Sequence, residues 1–186
     1  MSRRARRWVL FGALAGGIVA ADQVTKRWVD ANFQRAYLST PIPGLAPPTP
    51  VIGDLMRIAK TYNDGGLFGM FGTAAPILAL ASLVVIALIV WFQARTAATG
   101  PLLMTLTLGL LLGGAIGNLL DRLRYGYVID FVDTGLGANR FFTFNVADSA
   151  ISLAIAGLLL MTLLGDRLDG RTSAPDRVAA PEASDG

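Results

Sequence analysis

Two long stretches without any charged residue restrict the fold of this chain more than any other feature. They cover residues 65–94 and 96–120. A helix needs roughly 20 apolar residues to cross the hydrocarbon core of a bilayer, and each stretch is long enough. Hydrophobic residues make up 53% of the chain, which excludes a disordered protein. The sequence therefore predicts an integral membrane protein.

Two further apolar stretches bring the predicted number of spanning helices to four. We expect an all-α membrane fold, a single domain over residues 1–165, with helices at about 8–28, 72–93, 101–121 and 147–165. The segment 29–68 is rich in proline, and its residues 51–62 partly alternate, which predicts a small β-containing loop. We interpret 122–144 as a loop and 166–186 as a disordered cytoplasmic tail.

The distribution of charge predicts the orientation. Four of the first seven residues are arginines, which favours a cytoplasmic N-terminus, and four spans return the C-terminus to the same side. The short segment after the second helix carries Arg95 and fits this topology. The aspartates near the other helix ends and in the 122–144 loop then share the extracytoplasmic side. They are Asp22, Asp64, Asp121, Asp130, Asp133 and Asp148.

Two missing residue types narrow the possible chemistry. The chain has no cysteine and no histidine, which excludes thiolate or imidazole catalysis and metal sites that use these ligands. The single glutamate, Glu182, lies in the tail, so acid–base chemistry depends on aspartates. The net charge is +3, but the basic residues form no patch interleaved with aromatics, so no nucleic-acid partner is expected.

Two Asn-x-x-Asp patterns face each other across the 122–144 loop. Asn118 and Asp121 close the third helix, and Asn145 and Asp148 open the fourth, where either could cap it. Asp121 opposes the helix dipole, and we expect the adjacent Arg122 to compensate its charge. Gly113, Gly114 and Gly117 would allow close packing of the third helix.

Asp130 lies among apolar neighbours, and burial beside a second carboxylate would raise its pKa. Two aspartates that share a proton can activate water and protonate a leaving amine. An aspartyl dyad is therefore the hypothesis that the residues favour. Spacing alone leaves open which members of the group form it: Asp22, Asp121, Asp130 and Asp148. Such a dyad makes a metal or other cofactor unnecessary.

A series of motifs from the first helix to the fourth resembles the lipoprotein signal peptidase (signal peptidase II) family. The motifs are Asp22-Gln-Val-Thr-Lys26, Asn63-Asp-Gly65, Gly113-Gly-Ala-Ile-Gly-Asn118-Leu-Leu-Asp121-Arg122, Gly126-Tyr-Val-Ile-Asp130-Phe131 and Phe144-Asn145-Val-Ala147-Asp148. The resemblance covers about residues 8–165, and the last three motifs are highly specific.

The resemblance implies a bacterial inner-membrane aspartic protease that removes signal peptides from diacylglyceryl-modified prolipoproteins at the lipobox cysteine. Prolipoproteins and membrane lipids would be its partners, and the active site would lie near the extracytoplasmic face. The family's catalytic pair corresponds to Asp130 and Asp148. Its supporting or substrate-binding positions correspond to Asp22, Lys26, Asn63, Gly65, Asn118, Asp121, Arg122, Asn145 and Ala147.

This chain departs from the family pattern in two places. Gly66-Leu67-Phe68 replaces the usual Ala-Ala-Phe or Ala-Ala-Trp, and Phe142 stands where many members have proline. The segment 132–143 also lacks a tryptophan that is often found there. These differences concern the packing of the loop and the gating of substrate.

Two other classes of protein remain as alternatives. One is a small proton-coupled carrier, which needs ionisable groups through the depth of the bilayer. The acids of this chain cluster at one face, and residues 72–93 carry no charge. The other is a non-catalytic assembly factor packed through glycines. Such a protein has no need for two Asn-x-x-Asp patterns that converge from adjacent helices.

Overall fold

Four long helices form the frame of the protein. The computed structural model describes residues 1–65 and 75–168. Its helices are α1 (Arg3–Asn32), α2 (Ala75–Thr96), α3 (Leu102–Tyr125) and α4 (Val146–Leu168). Each contains a stretch long and apolar enough to cross a membrane, which confirms the prediction of four spans. The expected tail beyond residue 168 and the Gly66-Leu67-Phe68 departure lie outside the described residues.

The helices are longer than the apolar stretches that predicted them. α1 begins five residues before the predicted start at residue 8 and continues four residues past residue 28. Hydropathy marks the part of a helix that can lie in lipid, whereas backbone hydrogen bonds continue into the polar ends. As a result Asp22 lies inside α1 rather than at its end, and Lys26 lies one turn further along the same face.

α3 is the central helix and packs against the other three. Its glycines permit this, as the sequence predicts. A Cβ on Gly113 would lie 2.7 Å from the side chain of Ile18 in α1, and one on Gly114 would lie 2.5 Å from the carbonyl oxygen of Ala147 in α4. Small residues at such contacts let helix backbones approach closely. This close packing brings Asp22 of α1 and the N-terminus of α4 beside the same end of α3.

Toward the N-terminus of α1, the bundle is held by an apolar cluster. Phe11 packs with Ile89 of α2 and with Leu108 and Leu112 of α3, and all four are buried. The buried acidic side chains of α1 and α3, Asp22 and Asp121, lie toward the opposite end together with Lys26, and we call this the polar end of the bundle.

A four-stranded antiparallel sheet covers that polar end. The strands are β1 (Thr49–Ile52), β2 (Met56–Asn63), β3 (Val128–Leu136) and β4 (Asn139–Arg140), in the order β1-β2-β3-β4. β1 and β2 confirm the strands predicted between the first two helices. The prediction that 122–144 is only a loop is wrong, because β3 and β4 come from it. The segment from Val128 to Val132, apolar except for Asp130, is stabilised as a strand by pairing with β2, which is far away in the sequence.

Short connections place β3 directly over the helix ends. α3 ends at Tyr125. Gly126 is its C-cap and adopts φ 78°, and β3 begins two residues after Gly126. After β4 the chain returns along β3, where Phe144 and Val132 exchange backbone hydrogen bonds of 2.8 and 3.0 Å. α4 begins at Val146, two residues after Phe144. Because Phe144 pairs with Val132, Asp130 of β3 lies beside the N-terminus of α4.

Two arginines tie the sheet together around one buried acid. Asp133 of β3 is 1% exposed and accepts hydrogen bonds from Arg57 of β2 and from Arg140 of β4 at 2.8 and 3.0 Å. Both arginines also contact Asp54 in the β1–β2 turn. Asp133 therefore belongs to the sheet's own ion-pair network, separate from the aspartates at the helix ends.

Candidate active site

Asn145 connects the two aspartates of the predicted dyad. Its side-chain Nδ2 donates to Oδ1 of Asp130 at 2.7 Å. Its backbone N–H donates to Oδ2 of Asp148 at 3.2 Å, and the backbone N–H of Asp148 donates back to Oδ1 of Asn145 at 2.9 Å. This reciprocal pair has the geometry of a capping box at the start of α4. One residue thus holds both carboxyl groups and begins the helix.

Two further asparagines complete the hydrogen bonds to these carboxylates. Nδ2 of Asn118 in α3 donates to Oδ1 of Asp148 at 2.7 Å. Nδ2 of Asn63, at the end of β2, donates to Oδ2 of Asp130 at 3.1 Å. Each carboxyl group therefore accepts two N–H groups, one on each oxygen.

Each asparagine amide is held in one orientation by a donor on its oxygen. Oδ1 of Asn118 accepts from the ammonium of Lys26 at 2.9 Å, and Oδ1 of Asn63 accepts from the backbone N–H of Gly65 at 3.0 Å. An ammonium and a backbone N–H can only donate, so the oxygen must face them and the NH₂ must face the carboxylate. Gly65 adopts φ 77°, which explains why glycine suits this position.

Lys26 lies between two buried carboxylates. Its Nζ is 2.8 Å from Oδ2 of Asp22 and 2.8 Å from Oδ2 of Asp121, and all three side chains are at most 2% exposed. The expectation that Arg122 compensates Asp121 is wrong. Adjacent residues on a helix point in different directions, whereas Lys26 of α1 faces Asp121 across the helix interface. Arg122 instead donates to the carbonyl oxygen of Asn118 at 3.4 Å.

Asp22 and Asp121 also connect the helices to other elements. Oδ1 of Asp22 accepts from the backbone N–H of Ala147 at 3.0 Å, which joins α1 to α4. Oδ2 of Asp121 accepts from the backbone N–H of Ile129 at 3.2 Å, which joins α3 to β3. With ion pairs and backbone donors on their oxygens, these two acids hold the site in place.

Sequence reasoning missed one residue of this network, Gln23. Its Nε2 donates to Oδ1 of Asp121 at 2.9 Å and to the carbonyl oxygen of Gly117 at 3.3 Å. Its Oε1 accepts from Arg124 at 2.8 Å. A polar residue inside an apolar helix was the signal that could have found it.

The electrostatics distinguish Asp130 from its neighbours. Burial, and next the negative charge of Asp148, raise the pKa of Asp130 from 3.8 to about 6. Hydrogen bonds from Asn63 and Asn145 act in the opposite direction. This agrees with the direction that the apolar surroundings of Asp130 predict. A carboxyl group with such a pKa can hold a proton near neutrality and release it.

Cavities open on both sides of the pair. One of about 350 Å³ lies between α2, α3 and α4, where Asn118, Arg122 and Asp148 line its polar end and Ser82 and Val85 of α2 line another part. A second, of about 400 Å³, contains Asp130 and is enclosed by strand residues and the segment before α4. The site is therefore reachable from the sheet side and from between the helices.

The fold and the site together define a class: a multi-span membrane protein with a buried aspartate and asparagine centre at one end of its helices. The sequence matches the signal peptidase (SPase) II family over residues 14–164. A lipoprotein signal peptidase from Desulforapulum autotrophicum is 38% identical over 144 residues, 74% of this chain and 82% of the relative. One from Coxiella burnetii is 34% identical over 168 residues, 88% of this chain and 93% of the relative.

A solved structure of a membrane enzyme has a similar fold. A structure described as a bacterial membrane enzyme superposes with a TM-score of 0.70 at 26% identity, covering 81% of this chain and 90% of the other. The chain belongs to the signal peptidase II family and is a membrane peptidase of that family. This confirms the resemblance seen in the sequence motifs, while the roles of single residues stay predictions.

Proposed function

We propose that this chain is an aspartic endopeptidase that removes the signal peptide from diacylglyceryl-modified prolipoproteins, cutting before the modified cysteine. The relatives named lipoprotein signal peptidase support the substrate class. The observation that carries the mechanism is Asn145, which holds Asp130 and Asp148 through one amide and one backbone N–H. Asp130 and Asp148 are the proposed catalytic dyad.

The two aspartates take different roles in the first step. We assign the shared proton at the start of the cycle to Asp130, the carboxyl group whose pKa is raised, and the role of base to Asp148 in the first turn of α4, where the helix dipole stabilises a carboxylate. Asp148 accepts a proton from water as the oxygen attacks the scissile carbonyl carbon. Asp130 gives its proton to the carbonyl oxygen, which leaves a neutral gem-diol intermediate.

The second step reverses both proton transfers. Asp148 passes its new proton to the leaving nitrogen, and the carbon–nitrogen bond breaks. Asp130 takes a proton from one hydroxyl of the intermediate as the carbonyl of the new carboxylic acid forms. The dyad ends with Asp130 protonated and Asp148 ionised, ready for another cycle. Since the pair shares one proton, it titrates as a unit.

The remaining polar residues hold the dyad in place. Asn63 and Asn118 direct N–H groups at the two carboxyl groups and limit their rotation. Lys26 forms ion pairs with Asp22 and Asp121, which keeps these two acids in contacts of their own, away from the dyad. Arg122 lines the cavity at Asp148 and is proposed to contact substrate there.

We further propose that the site lies near the extracytoplasmic face of a bacterial membrane, with both termini cytoplasmic. The arginines at the start of α1 support this orientation through the positive-inside rule. The acids of the site lie at one end of the bundle and α2 carries no acidic residue, an arrangement unsuited to a proton relay across the bilayer.

The decisive experiment compares a diacylglyceryl-modified prolipoprotein with its unmodified form as substrates of the purified protein. We expect release of the signal peptide from the modified form, with little or none from the other. Asp148→Asn protein, matched in folded concentration, provides the control for contaminating peptidases. Equal cleavage of both forms would contradict the substrate assignment, and loss of activity in EDTA would contradict a metal-free mechanism.

A further inference from the structure

Phe141 lines two cavities, one at each carboxyl group of the proposed dyad. The first, of about 400 Å³, contains Asp130. The second, of about 380 Å³, contains Asp148 with Ser149 and Ser152 of α4 and differs from the cavity of about 350 Å³ between the helices. The ring therefore borders an approach to each carboxyl group.

The backbone around Phe141 is anchored although its side chain is 65% exposed. Its N–H donates to the carbonyl oxygen of Thr134 at 2.7 Å, and Phe144, three residues on, is hydrogen-bonded to Val132. The preceding residue, Arg140, is held by Asp133. A large apolar ring on a fixed backbone, unburied by the protein itself, is placed to contact something else.

The packing of the ring also fixes its direction. Its centroid lies 6.1 Å from that of Phe144 with the planes at 78°, an edge-to-face contact. Phe144 immediately precedes Asn145, the residue that joins the two aspartates. The position of the Phe141 ring is thus tied to the geometry of the dyad through one intervening aromatic residue.

We infer that Phe141 is a specificity-determining residue whose ring limits the size of the substrate side chain next to the scissile bond. This rests on the proposed function. A peptide that approaches Asp130 through the first cavity and Asp148 through the second lies beside this ring. The residue after the cut is the modified cysteine, so the side chain that varies is the one before it, and it competes with Phe141 for space.

Leu136 supplies a control in the neighbouring β3–β4 hairpin. Its side chain is also apolar and is 67% exposed, but it is absent from the linings of the Asp130 and Asp148 cavities. Phe142 is unsuitable, because it lines the Asp130 cavity and its ring packs edge-to-face against that of Phe141, with centroids 6.0 Å apart. Truncating Leu136 removes exposed apolar atoms from the same sheet without changing either cavity.

The test measures kcat/KM for two modified prolipoproteins that differ in the residue before the cysteine, alanine in one and phenylalanine in the other. In Phe141→Ala we expect the preference for alanine over phenylalanine to fall about tenfold relative to the parent, the scale at which a tight apolar site discriminates by size. Leu136→Ala should keep the parent's ratio. Phe141→Leu, which keeps more apolar volume, should give an intermediate ratio.

Size-exclusion chromatography in detergent reports the folded fraction of each variant. An unchanged ratio in Phe141→Ala and Phe141→Leu, or an equal change in Leu136→Ala, would overturn the inference while leaving the proposed function intact. A parent protein that cleaves no modified prolipoprotein would overturn the proposed function and this inference with it.

Discussion

The ammonium of Lys26 lies 2.9 Å from Oδ1 of Asn118, and this contact decides which end of the amide faces Asp148. A reversed amide would place NH₂ against an ammonium and oxygen against a carboxylate, two repulsive contacts at once. Lys26 therefore acts on the dyad without touching it. Its location between Asp22 and Asp121 serves the same end, because a charge held from three sides has little freedom to move.

Asn118→Asp tests this orientation. The variant keeps an acceptor for Lys26 but loses the N–H donor to Asp148 and places oxygen against oxygen. We expect kcat to fall about 30-fold or more, since a hydrogen bond to a charged group contributes about 2 kcal/mol. Asn139→Asp, in the exposed β3–β4 hairpin, should retain activity. Parent-like kcat in Asn118→Asp would show that the amide has no directing role.

Separate substitutions distinguish the aspartates by role. Asp130→Asn and Asp148→Asn should each abolish turnover while the protein stays folded, because each removes one half of the proton exchange. Asp121→Asn should lose activity mainly through stability, since it breaks a buried pair with Lys26 at a cost of about 3–5 kcal/mol. The assay is turnover normalised to folded protein in detergent. Well-folded but inactive Asp121→Asn, together with active Asp130→Asn, would assign the dyad to Asp121 and Asp148.

Gly117 tests the close approach of the helices at the site. A Cβ there would lie 2.7 Å from Oδ2 of Asp22 and 3.2 Å from Cβ of Ala147, so Gly117→Ala must push α1 or α4 away from α3. We expect a lower thermal midpoint and a loss of activity in detergent. Gly16→Ala in α1, with open space around its Cβ, should be neutral or more stable by up to about 1 kcal/mol. Equal thermal midpoints for the two variants would contradict this packing.

The pKa of Asp130 predicts how the protein responds to pH. Because this pKa is raised to about 6, the folded state binds a proton that the unfolded state releases between about pH 4 and 6. The contribution of Asp130 to the free energy of unfolding therefore decreases as pH rises through this range. Asp148→Asn removes a negative neighbour and should lower the pKa of Asp130, whereas Asn63→Ala removes a hydrogen bond to the carboxylate and should raise it.

Carboxyl carbon chemical shifts from ¹³C-aspartate-labelled protein in nanodiscs would measure this titration, with Asp130→Asn to identify the signal. Asp30, which is 46% exposed, provides an internal reference on the same protein. A pKa of Asp130 that stays the same or rises in Asp148→Asn would show that the two carboxyl groups do not interact.

The absence of native cysteine makes the proposed topology easy to test. Single cysteines at Asp54 in the β1–β2 turn and at Gly137 in the β3–β4 hairpin should react with an impermeant maleimide added outside intact cells or spheroplasts. A cysteine at Arg95, near the end of α2, should react only after the membrane is opened. Labelling of a cysteine at position 95 from outside would contradict the proposed topology and show that the protein has the opposite orientation.

Local features of the sequence determined the spans and the end of the bundle at which the aspartates of the candidate site gather. Hydropathy along residues 65–94 and 96–120 is a property of each helix alone, and the i, i+3 spacing of Asn118 with Asp121 places them on one face before any packing is known. The resemblance of the motifs to the signal peptidase II family came from the same local patterns.

Only the tertiary structure decided which groups meet. Asp121 pairs with Lys26, 95 positions away, rather than with its neighbour Arg122, and β3 exists as a strand because β2 pairs with it. The residues alone left the dyad open among four aspartates; in the structure Lys26 holds Asp22 and Asp121, and Asn145 joins Asp130 to Asp148. Such pairings depend on how closely the glycines let the helices pack. The distance between two helices cannot be derived from the spacing of residues within one of them.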